Sequence, residues 1–251
     1  LNTRYKATNT PDNEEEFSIT LATRRDQVDA INEDHLSSLK GHTLTFEGEI
    51  TGDFPTNSLP TPEHLELKVG AQVMFIKNDT EHRWVNGTLG IVSDITDDMR
   101  ISVILEDGDE HIVEPALWEN IKYSYNEKEK RIEEKVLGTY KQYPLRLAWA
   151  ITVHKSQGLT FNRVVIDFTG GAFAGGQTYV ALSRCTSLKG ITLTRPITSR
   201  DIFINAEVVR FSQMFNNPKL IEHALHQAEA DRRYHAAVEA FDHDNMELFL
   251  D

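Results

Sequence analysis

The 251-residue sequence has a single cysteine, Cys185, and no apolar run long enough to span a bilayer. One cysteine excludes a disulfide within the chain and a zinc site made from several cysteines. The ten histidines show no H-E-x-x-H spacing, so the sequence predicts no metal ligand. No basic segment followed by an apolar one stands near the start. These absences predict a cytoplasmic or otherwise intracellular protein that is not secreted and has no membrane partner.

The sequence also lacks the phosphate loop G-x-x-x-x-G-K-[ST] of nucleotide hydrolases. The nearest string, Gly171 to Thr178, has Gln177 where that loop needs lysine, and a neutral amide brings no positive charge to a phosphate. The run from Val103 to Asp107 imitates a magnesium-binding strand, but Asp107-Gly108 between two short apolar strands is typical of a hairpin turn. The chain alone is therefore predicted to be catalytically silent toward nucleotides.

Positive charge is scarce, because 26 lysines and arginines stand against 39 acidic residues, for a formal net charge of −13. This balance excludes a broad basic surface for nucleic acid, so any such contact must be local. Acidic residues gather at Glu14–Glu16 and in a tail that holds Glu222, Glu229, Asp231, Glu239, Asp242, Asp244, Glu247 and Asp251. We interpret both groups as solvated; an acidic tail that competes with DNA is the alternative.

A compact polar run, Thr152 to Thr160, lies between two apolar runs of strand type, Leu145 to Val153 and Val164 to Phe168. The apolar runs are typical of buried parallel strands. Ligands bind at the carboxyl ends of such strands, where Ser156, Gln157 and Gly158 can offer backbone amides to a phosphate at a helix start. The alternative is a solvated loop without a ligand.

A second segment, Gly175 to Ile191, combines a glycine turn, a predicted helix through Tyr179 to Arg184, and an apolar strand near Ile191 to Leu193. Arg184 closes that helix. Taken alone, its role could be to cap the helix, because a cation in the last turn interacts favourably with the helix dipole.

Together these segments resemble two motifs of superfamily 1 DNA helicases, in the branch that holds the petite-integration-frequency (Pif) helicases and RecD. AITVHKSQGLTFNRVVID resembles the fifth helicase motif of that branch, GQTYVALSRCTSLKGI the sixth, and TLATRRDQVDAIN the fourth. LKVGAQVMFIKND and WVNGTLGIV resemble the start of the inserted barrel domain of the family. The resemblance covers nearly all of residues 17 to 204.

The resemblance implies an α/β fold in which a small SH3-like β-barrel interrupts a RecA-like parallel-sheet domain. The expected plan is a linker at 1–16, a discontinuous second RecA-like domain at 17–62 and 138–204, the barrel at 63–137, and a helical acidic extension at 205–251. The residue patterns agree, since Phe17 to Ala22 predicts a strand and Thr23 can cap the helix that follows it. The turns Asn86-Gly87 and Asp107-Gly108 favour short antiparallel strands within the insert.

In this family picture, the chain forms one wall of a nucleotide site whose other wall is an N-terminal RecA-like domain. The resemblance implies that Arg184 is an arginine finger toward the γ phosphate and that Gly158 approaches the same phosphate through its amide. Gln157 and Thr160 would line the nucleotide side. Arg24 is an added cation there, or else a solvated residue on the helix surface. ATP and Mg²⁺ are expected in the full-length protein, with Mg²⁺ held by the absent domain and none required by this chain.

The same resemblance implies contact with single-stranded DNA through Thr152 and His154, which would touch phosphates without reading bases. Lys155 and Ser156 are weaker candidates for that contact. In the insert, Lys77 and Asn78 could also touch the strand, but ordinary surface residues would give the same pattern, and Asn78 also suits a turn.

The predicted function is therefore the C-terminal motor half of an ATP-dependent 5′-to-3′ DNA helicase. The alternative is a noncatalytic DNA- or protein-binding accessory module of a RecD-like helicase-nuclease. A first residue of Leu1 rather than methionine agrees with an upstream first motor domain that carries the phosphate loop. A processed or naturally truncated protein is the alternative explanation for that first residue.

Overall fold

A computed structural model describes residues 1–5, 17–127, 129–172, 174–202 and 204–242, with the side chain of residue 242 left aside. The chain forms two compact units, Leu1–Phe203 and Ile204–Asp251. Most of the predicted linker, residues 6–16 with their three consecutive glutamates, lies outside the described residues, as do the last acidic residues of the tail, from 243 onward. No helix among the described residues is both long enough and apolar enough to cross a membrane.

The described residues of the first unit form fourteen strands and two α-helices. The strands are β1 Ile19–Ala22, β2 Leu44–Glu47, β3 Glu49–Gly52, β4 His64–Leu67, β5 Gln72–Phe75, β6 Leu89–Ile95, β7 Ile101–Leu105, β8 Glu110–Val113, β9 Ala116–Asn126, β10 Arg131–Gln142, β11 Leu145–Leu147, β12 Ala150–Thr152, β13 Val164–Asp167 and β14 Ile191–Leu193. The helices are α1 Arg25–Ser38 and α2 Gln177–Leu182. Short 3₁₀ turns occur at Asn2–Arg4, Thr56–Ser58, Leu188–Gly190 and Ser199–Asp201.

A four-stranded parallel sheet in the order β12-β1-β13-β14 organises the first core. Its strands carry apolar side chains on both faces, as a sheet covered on both sides requires. Ile19, Leu21, Val164 and Ile166 are fully or almost fully buried in a cluster that also receives Val153. The fold is mixed α/β, as predicted.

Three antiparallel sheets account for the remaining strands: β11-β5-β6-β7-β8, β3-β10-β9, and the pair β2-β4. The five-stranded sheet encloses a second core around Phe75, Val92, Ile101 and Val103. Its hairpin turn at Gly108 has φ +92°, which only glycine adopts without strain, and the amide of Gly108 donates to the Leu105 carbonyl at 3.0 Å. The predicted hairpin at this turn is confirmed.

The antiparallel strands cross the expected domain boundaries. β2 and β3 fall in the first predicted RecA-like segment, but they pair with β4 and β10. β10 runs through position 138, where the second RecA-like segment was expected to begin. The domain bounds themselves stay predictions.

One sequence prediction is wrong in a specific way, because Leu145 to Val153 does not form a single parallel strand. β11 pairs antiparallel with β5, and β12 pairs parallel with β1. Between the two strands the amide of Ala148 donates to the Gln72 carbonyl at 2.9 Å, and the side-chain amide of Gln72 donates to the carbonyls of Ala148 at 2.7 Å and Ser18 at 2.8 Å. Gln72 therefore fastens the five-stranded sheet to the parallel sheet at the point where the chain passes from one to the other.

The two ends of the predicted insert are also tied together. The buried hydroxyl of Tyr140 in β10 lies 3.1 Å from the Thr61 hydroxyl and donates to the Pro62 carbonyl at 3.0 Å. Gln142 donates to the carbonyls of Phe46 at 2.8 Å and Glu63 at 3.2 Å. These bonds hold the segment that enters β4 against the end of β10.

The described part of the second unit forms the helices α3 Ala206–Met214 and α4 Pro218–Asp242. The side chain of Asn205 accepts from the Glu207 amide at 2.8 Å and so caps α3, as asparagine commonly does. Glu229 pairs with Arg233 one turn later at 2.9 Å. Phe211 and other large apolar side chains of α3 and α4 are exposed.

Removing the Tyr140 hydroxyl by Tyr140→Phe is expected to lower the free energy of unfolding by about 1–2 kcal/mol, because buried polar groups at Thr61 and Pro62 lose their partner. Tyr125→Phe makes the same change where the side chain is 63% exposed, and should alter stability by less than about 0.5 kcal/mol. Urea unfolding followed by circular dichroism measures both variants. Equal midpoints for the two would contradict the role assigned to Tyr140.

Candidate functional site

The candidate site lies at the carboxyl edge of the parallel sheet. Ala22 pairs with Thr152 and Asp167, so the ends of β1, β12 and β13 stand side by side. Thr23 and Val153 continue directly from the first two ends. Open parallel sheets bind ligands at this edge, because loops there can converge without blocking the strands.

After β12 the chain makes a tight turn whose polar groups largely satisfy one another. The Ser156 amide donates to the Thr152 carbonyl at 3.1 Å, the Gln157 amide to the His154 carbonyl at 3.2 Å, and the Leu159 amide to the Ser156 carbonyl at 3.0 Å. β13 is the next helix or strand after β12, so the helix start expected here is wrong. The amides of Ser156 and Gln157 serve the turn and do not point to a phosphate in this conformation.

The buried side chain of Ser156 stabilises this turn. Its side chain is fully buried, and its hydroxyl donates to the Val153 carbonyl at 2.7 Å. Contact between Ser156 and a DNA strand would require the turn to open, and that assignment stays a prediction.

Gly158, by contrast, has φ +81°, and a side chain built on it would meet no atom within 4 Å. The space beside Gly158 is therefore open to a ligand.

Arg184 lies against this turn, just after α2. Its Nη1 donates to the carbonyls of Leu159 at 2.9 Å and Ser156 at 3.3 Å. Nε donates to the Val180 carbonyl at 3.1 Å, and Nη2 to the Ser183 hydroxyl at 3.0 Å. These four bonds leave one of the five guanidinium hydrogens for a further acceptor. The backbone adds a link, since the Phe161 amide donates to the Arg184 carbonyl at 2.8 Å.

The position of α2 depends on a largely buried ion pair that the sequence reading missed. Arg195 donates to both carboxylate oxygens of Asp201, and its Nε donates to the Phe168 carbonyl at 2.9 Å. The Thr178 hydroxyl in the first turn of α2 donates to the Asp201 carbonyl. The Arg195 guanidinium holds the pKa of Asp201 well below its usual range. This pair thus anchors the helix that precedes Arg184 to the end of β13.

Arg24 occupies the N-cap position of α1, although the sequence suggested Thr23. Arg24 donates to both carboxylate oxygens of Asp26, at 3.0 and 2.7 Å, and this contact raises the pKa of Arg24. The hydroxyl of Thr23 is buried and finds no hydrogen-bond partner among the described atoms. A side chain on Gly170 would come within 2.9 Å of Arg24 Cδ and 3.1 Å of Thr23 Oγ1, so this glycine allows the β13 loop to cover them.

The predicted DNA contacts lie on the β12 side of the edge. The Thr152 hydroxyl accepts from the Lys155 amide at 3.3 Å, and both His154 and Lys155 are exposed. Although the Lys155 residue is exposed overall, partial desolvation of its ammonium group lowers its pKa, and the charges of Arg146 and Arg25 lower that pKa further. Sequence motifs gave no signal for Arg25 and Arg146 as neighbours of Lys155, because folding brings them together from three elements.

The two insert residues proposed for DNA contact already have local partners. Lys77 donates to the Leu117 carbonyl at 2.7 Å and lies over the Trp118 ring, 5.3 Å from its centroid. The Asn78 side chain accepts from the Asn86 amide at 2.8 Å, which agrees with a turn role. Their contact with DNA stays a prediction.

A cavity of about 360 Å³ lies between the turn that connects β5 to β6 and the loop after β12. Gly158 and Thr160 line it on one side and Asn86 and Gly87 on the other. Gln157 and Thr160 are exposed near the Arg184 contact.

Within the described ranges no three acidic, histidine or cysteine side chains gather into a cluster that could hold a metal ion.

Comparison with known proteins identifies the family. The family described as DNA helicase Pif1, 2B domain, matches residues 54–95. The ATP-dependent DNA helicase Pif1 of Bdellovibrio bacteriovorus is 35% identical over 203 residues, which are 81% of this chain and 42% of that protein. The chain belongs to the Pif1-like helicases. It spans less than half the length of this curated Pif1 relative.

Solved Pif1 structures from Bacteroides share the fold. One, in complex with ADP-AlF4, has a TM-score of 0.74 and 35% identity, and the match covers 86% of this chain and 49% of that one. Another Pif1, bound to ssDNA, has a TM-score of 0.64 and 34% identity over the same shares of the two chains. The mixed arrangement of one parallel and several antiparallel sheets is thus that of Pif1 helicases.

Asp201→Asn is expected to lower the free energy of unfolding at pH 7, with a loss that shrinks in acid. Because the folded-state pKa is depressed, the carboxylate contributes its full stability above its ordinary value of 3.8 and loses it as pH falls through the folded value. Asp98→Asn breaks an exposed pair with Arg100 at 2.8 Å and should have a small effect throughout. Urea unfolding of each variant between about pH 7 and pH 2 checks this, and a pH-independent loss for Asp201→Asn would count against it.

Proposed function

We propose that this chain is the C-terminal motor half of an ATP-dependent DNA helicase and forms one wall of its nucleotide site. The observation that carries the proposal is the position of Arg184, bonded to the turn that presents Gly158 at the carboxyl edge of a parallel sheet. In this proposal, the parallel sheet belongs to the second RecA-like domain, and the five-stranded sheet to an SH3-like insert. Membership of the Pif1-like helicases supports both assignments.

The residues at this edge suit a polyphosphate. The open space beside Gly158 allows its backbone to be approached closely, and Arg184 retains one guanidinium hydrogen for an acceptor. Gln157 and Thr160 would border the same nucleotide, and Arg24 would add a second cation. An arginine in this position spreads the charge that develops during phosphoryl transfer. Mg²⁺ would be held by a domain outside this chain, and the Pif1 solved with ADP-AlF4 supports the use of a nucleotide.

Single-stranded DNA would run along the β12 side of the edge. Thr152 and His154 would touch its phosphates, with Lys155 beside them and Ser156 supporting the turn from within. Such contacts hold any sequence equally, as a translocating motor requires. The Pif1 structure bound to ssDNA supports this partner. Movement in the 5′-to-3′ direction is part of the proposal.

The competing function is a noncatalytic binding module of a helicase-nuclease. The sequence upstream of this chain distinguishes the two functions, because a phosphate loop and an acidic strand there would favour the motor and their absence there the module. The two functions differ in the complete protein, where a motor hydrolyses ATP in response to DNA and a module does not.

In the complete helicase, Arg184→Ala should lower the turnover number for DNA-stimulated ATP hydrolysis by about 10³- to 10⁵-fold, because charge on the transferring phosphoryl group loses its cation. Arg200→Ala removes an exposed arginine elsewhere and should leave turnover within about twofold. This chain alone should hydrolyse ATP no faster than buffer. Phosphate release, followed with and without DNA, measures all three. DNA-stimulated turnover by the chain alone that Arg184→Ala abolishes would refute the two-domain site.

His154→Ala in the complete helicase should weaken single-stranded DNA binding by similar factors on oligonucleotides of different base composition, because a phosphate contact carries no sequence information. His42→Ala serves as control, since His42 is exposed and follows the far end of α1. Fluorescence anisotropy with labelled oligothymidine and oligoadenine provides the comparison. A loss confined to one composition would indicate base readout instead.

A further inference from the structure

Three cations from separate elements, Arg25, Arg146 and Lys155, interact electrostatically near the carboxyl edge of the parallel sheet. Arg25 stands three positions after Ala22, and Lys155 three positions after Thr152. Ala22 and Thr152 are register partners in neighbouring parallel strands, so the two cations emerge from the same edge of the sheet. Arg146 approaches from β11, where its guanidinium donates to the carbonyls of Pro60 at 2.6 Å and Leu59 at 3.4 Å.

The three charges repel one another across this space. Burial lowers the pKa of Lys155, and the charges of Arg146 and Arg25 lower it further. Burial likewise lowers the pKa of Arg146, with Arg25 as the next cause. Among the described residues, the carboxylate that offsets these charges is that of Asp29, which lies 3.6 Å from Arg25 Nε. Within that part of the chain the cluster therefore carries more positive than negative charge, although the sequence as a whole is strongly acidic.

A structural role explains only part of this cluster. Arg146 binds the backbone of the 59–60 loop and needs no second cation for that task. The Arg25 side chain is 86% exposed, and its ion pair within the described part of the chain is the long one with Asp29, so the guanidinium can turn toward an anion. An anion placed among the three would relieve their repulsion and satisfy their remaining donors.

We propose that Arg25, Arg146 and Lys155 together bind one backbone phosphate of single-stranded DNA, next to Thr152. The proposal rests on the DNA path proposed above and adds two residues to it that lie outside the helicase-like polar run. No base edge is needed, because the site is built from cations alone and recognises the phosphate group. This local site also explains how a chain with a net charge of −13 could hold DNA without a broad basic face.

The test uses the complete helicase and labelled oligothymidine over a salt series. Arg25→Ala should weaken binding about three- to tenfold at low salt and reduce the salt slope by about 0.7, the value for one phosphate contact on a single strand. Lys155→Ala should act similarly, and Lys155→Arg should retain most of the affinity. Arg100→Ala removes one positive charge from an exposed pair with Asp98 and should leave the slope unchanged. Thermal melts would verify that each variant is folded; Arg146 is left intact because of its backbone bonds.

A second arm uses tripolyphosphate as competitor, because a nucleotide also carries phosphate. If Arg25→Ala leaves the salt slope for oligothymidine unchanged but weakens tripolyphosphate binding, the site serves nucleotide and the DNA assignment is overturned. If Arg25→Ala and Arg100→Ala behave alike toward both probes, the cluster is not an anion site and only this inference fails. If the wild-type helicase does not bind oligothymidine at any salt, the proposed DNA function and this inference both fail.

Discussion

The first unit depends on one buried carboxamide, that of Gln72. Its side-chain amide donates to the carbonyl of Ser18, just before β1, and to that of Ala148, between β11 and β12. The backbone carbonyl of Gln72 accepts from the Ala148 amide. The side-chain bond to Ala148 is buried and that to Ser18 partly buried, so losing the Gln72 amide would leave backbone carbonyls without a donor away from water. Gln72 thereby sets where β12 begins, and the start of β12 sets where the polar turn after Thr152 emerges from the sheet.

Hydrogen bonds likewise hold Arg184 against the turn after β12. Ser156 and its neighbours close the turn from inside, and two of its carbonyls face the Arg184 guanidinium. Arg195 and Asp201 hold α2 from its other end. A nucleotide that draws Arg184 toward itself would therefore compete with carbonyls on the proposed DNA-binding turn. If both proposed sites are real ligand sites, Arg184 would couple nucleotide binding to the conformation of the turn through its bonds to the Ser156 and Leu159 carbonyls.

The sequence predicted the α/β class, the parallel strands, the Gly108 hairpin and the helicase family, because apolar periodicity, turn chemistry and motif spacing are local signals. The prediction of one parallel strand over Leu145 to Val153 was wrong, because this apolar run contributes β11 to one sheet and β12 to another. No residue in the run marks the point where the chain passes between the two sheets. The sequence also missed the cations around Lys155, because Arg25 and Arg146 are distant in the chain. Thr23 was expected as a cap from residue preference, but its hydroxyl is directed into the protein and Arg24 takes the N-cap position.

The bonds of Tyr140 and Gln142 hold the segment that enters β4 against the end of β10. Strands on the two sides of this point also pair with each other, since β2 pairs with β4, β3 with β10, and β11 with β5. The hairpin turn at Asp107-Gly108 has no such constraint, because a side chain built on Gly108 would meet no atom within 4 Å. We therefore expect insertions and deletions among relatives to collect in such turns and to spare the strands that pair across the boundary.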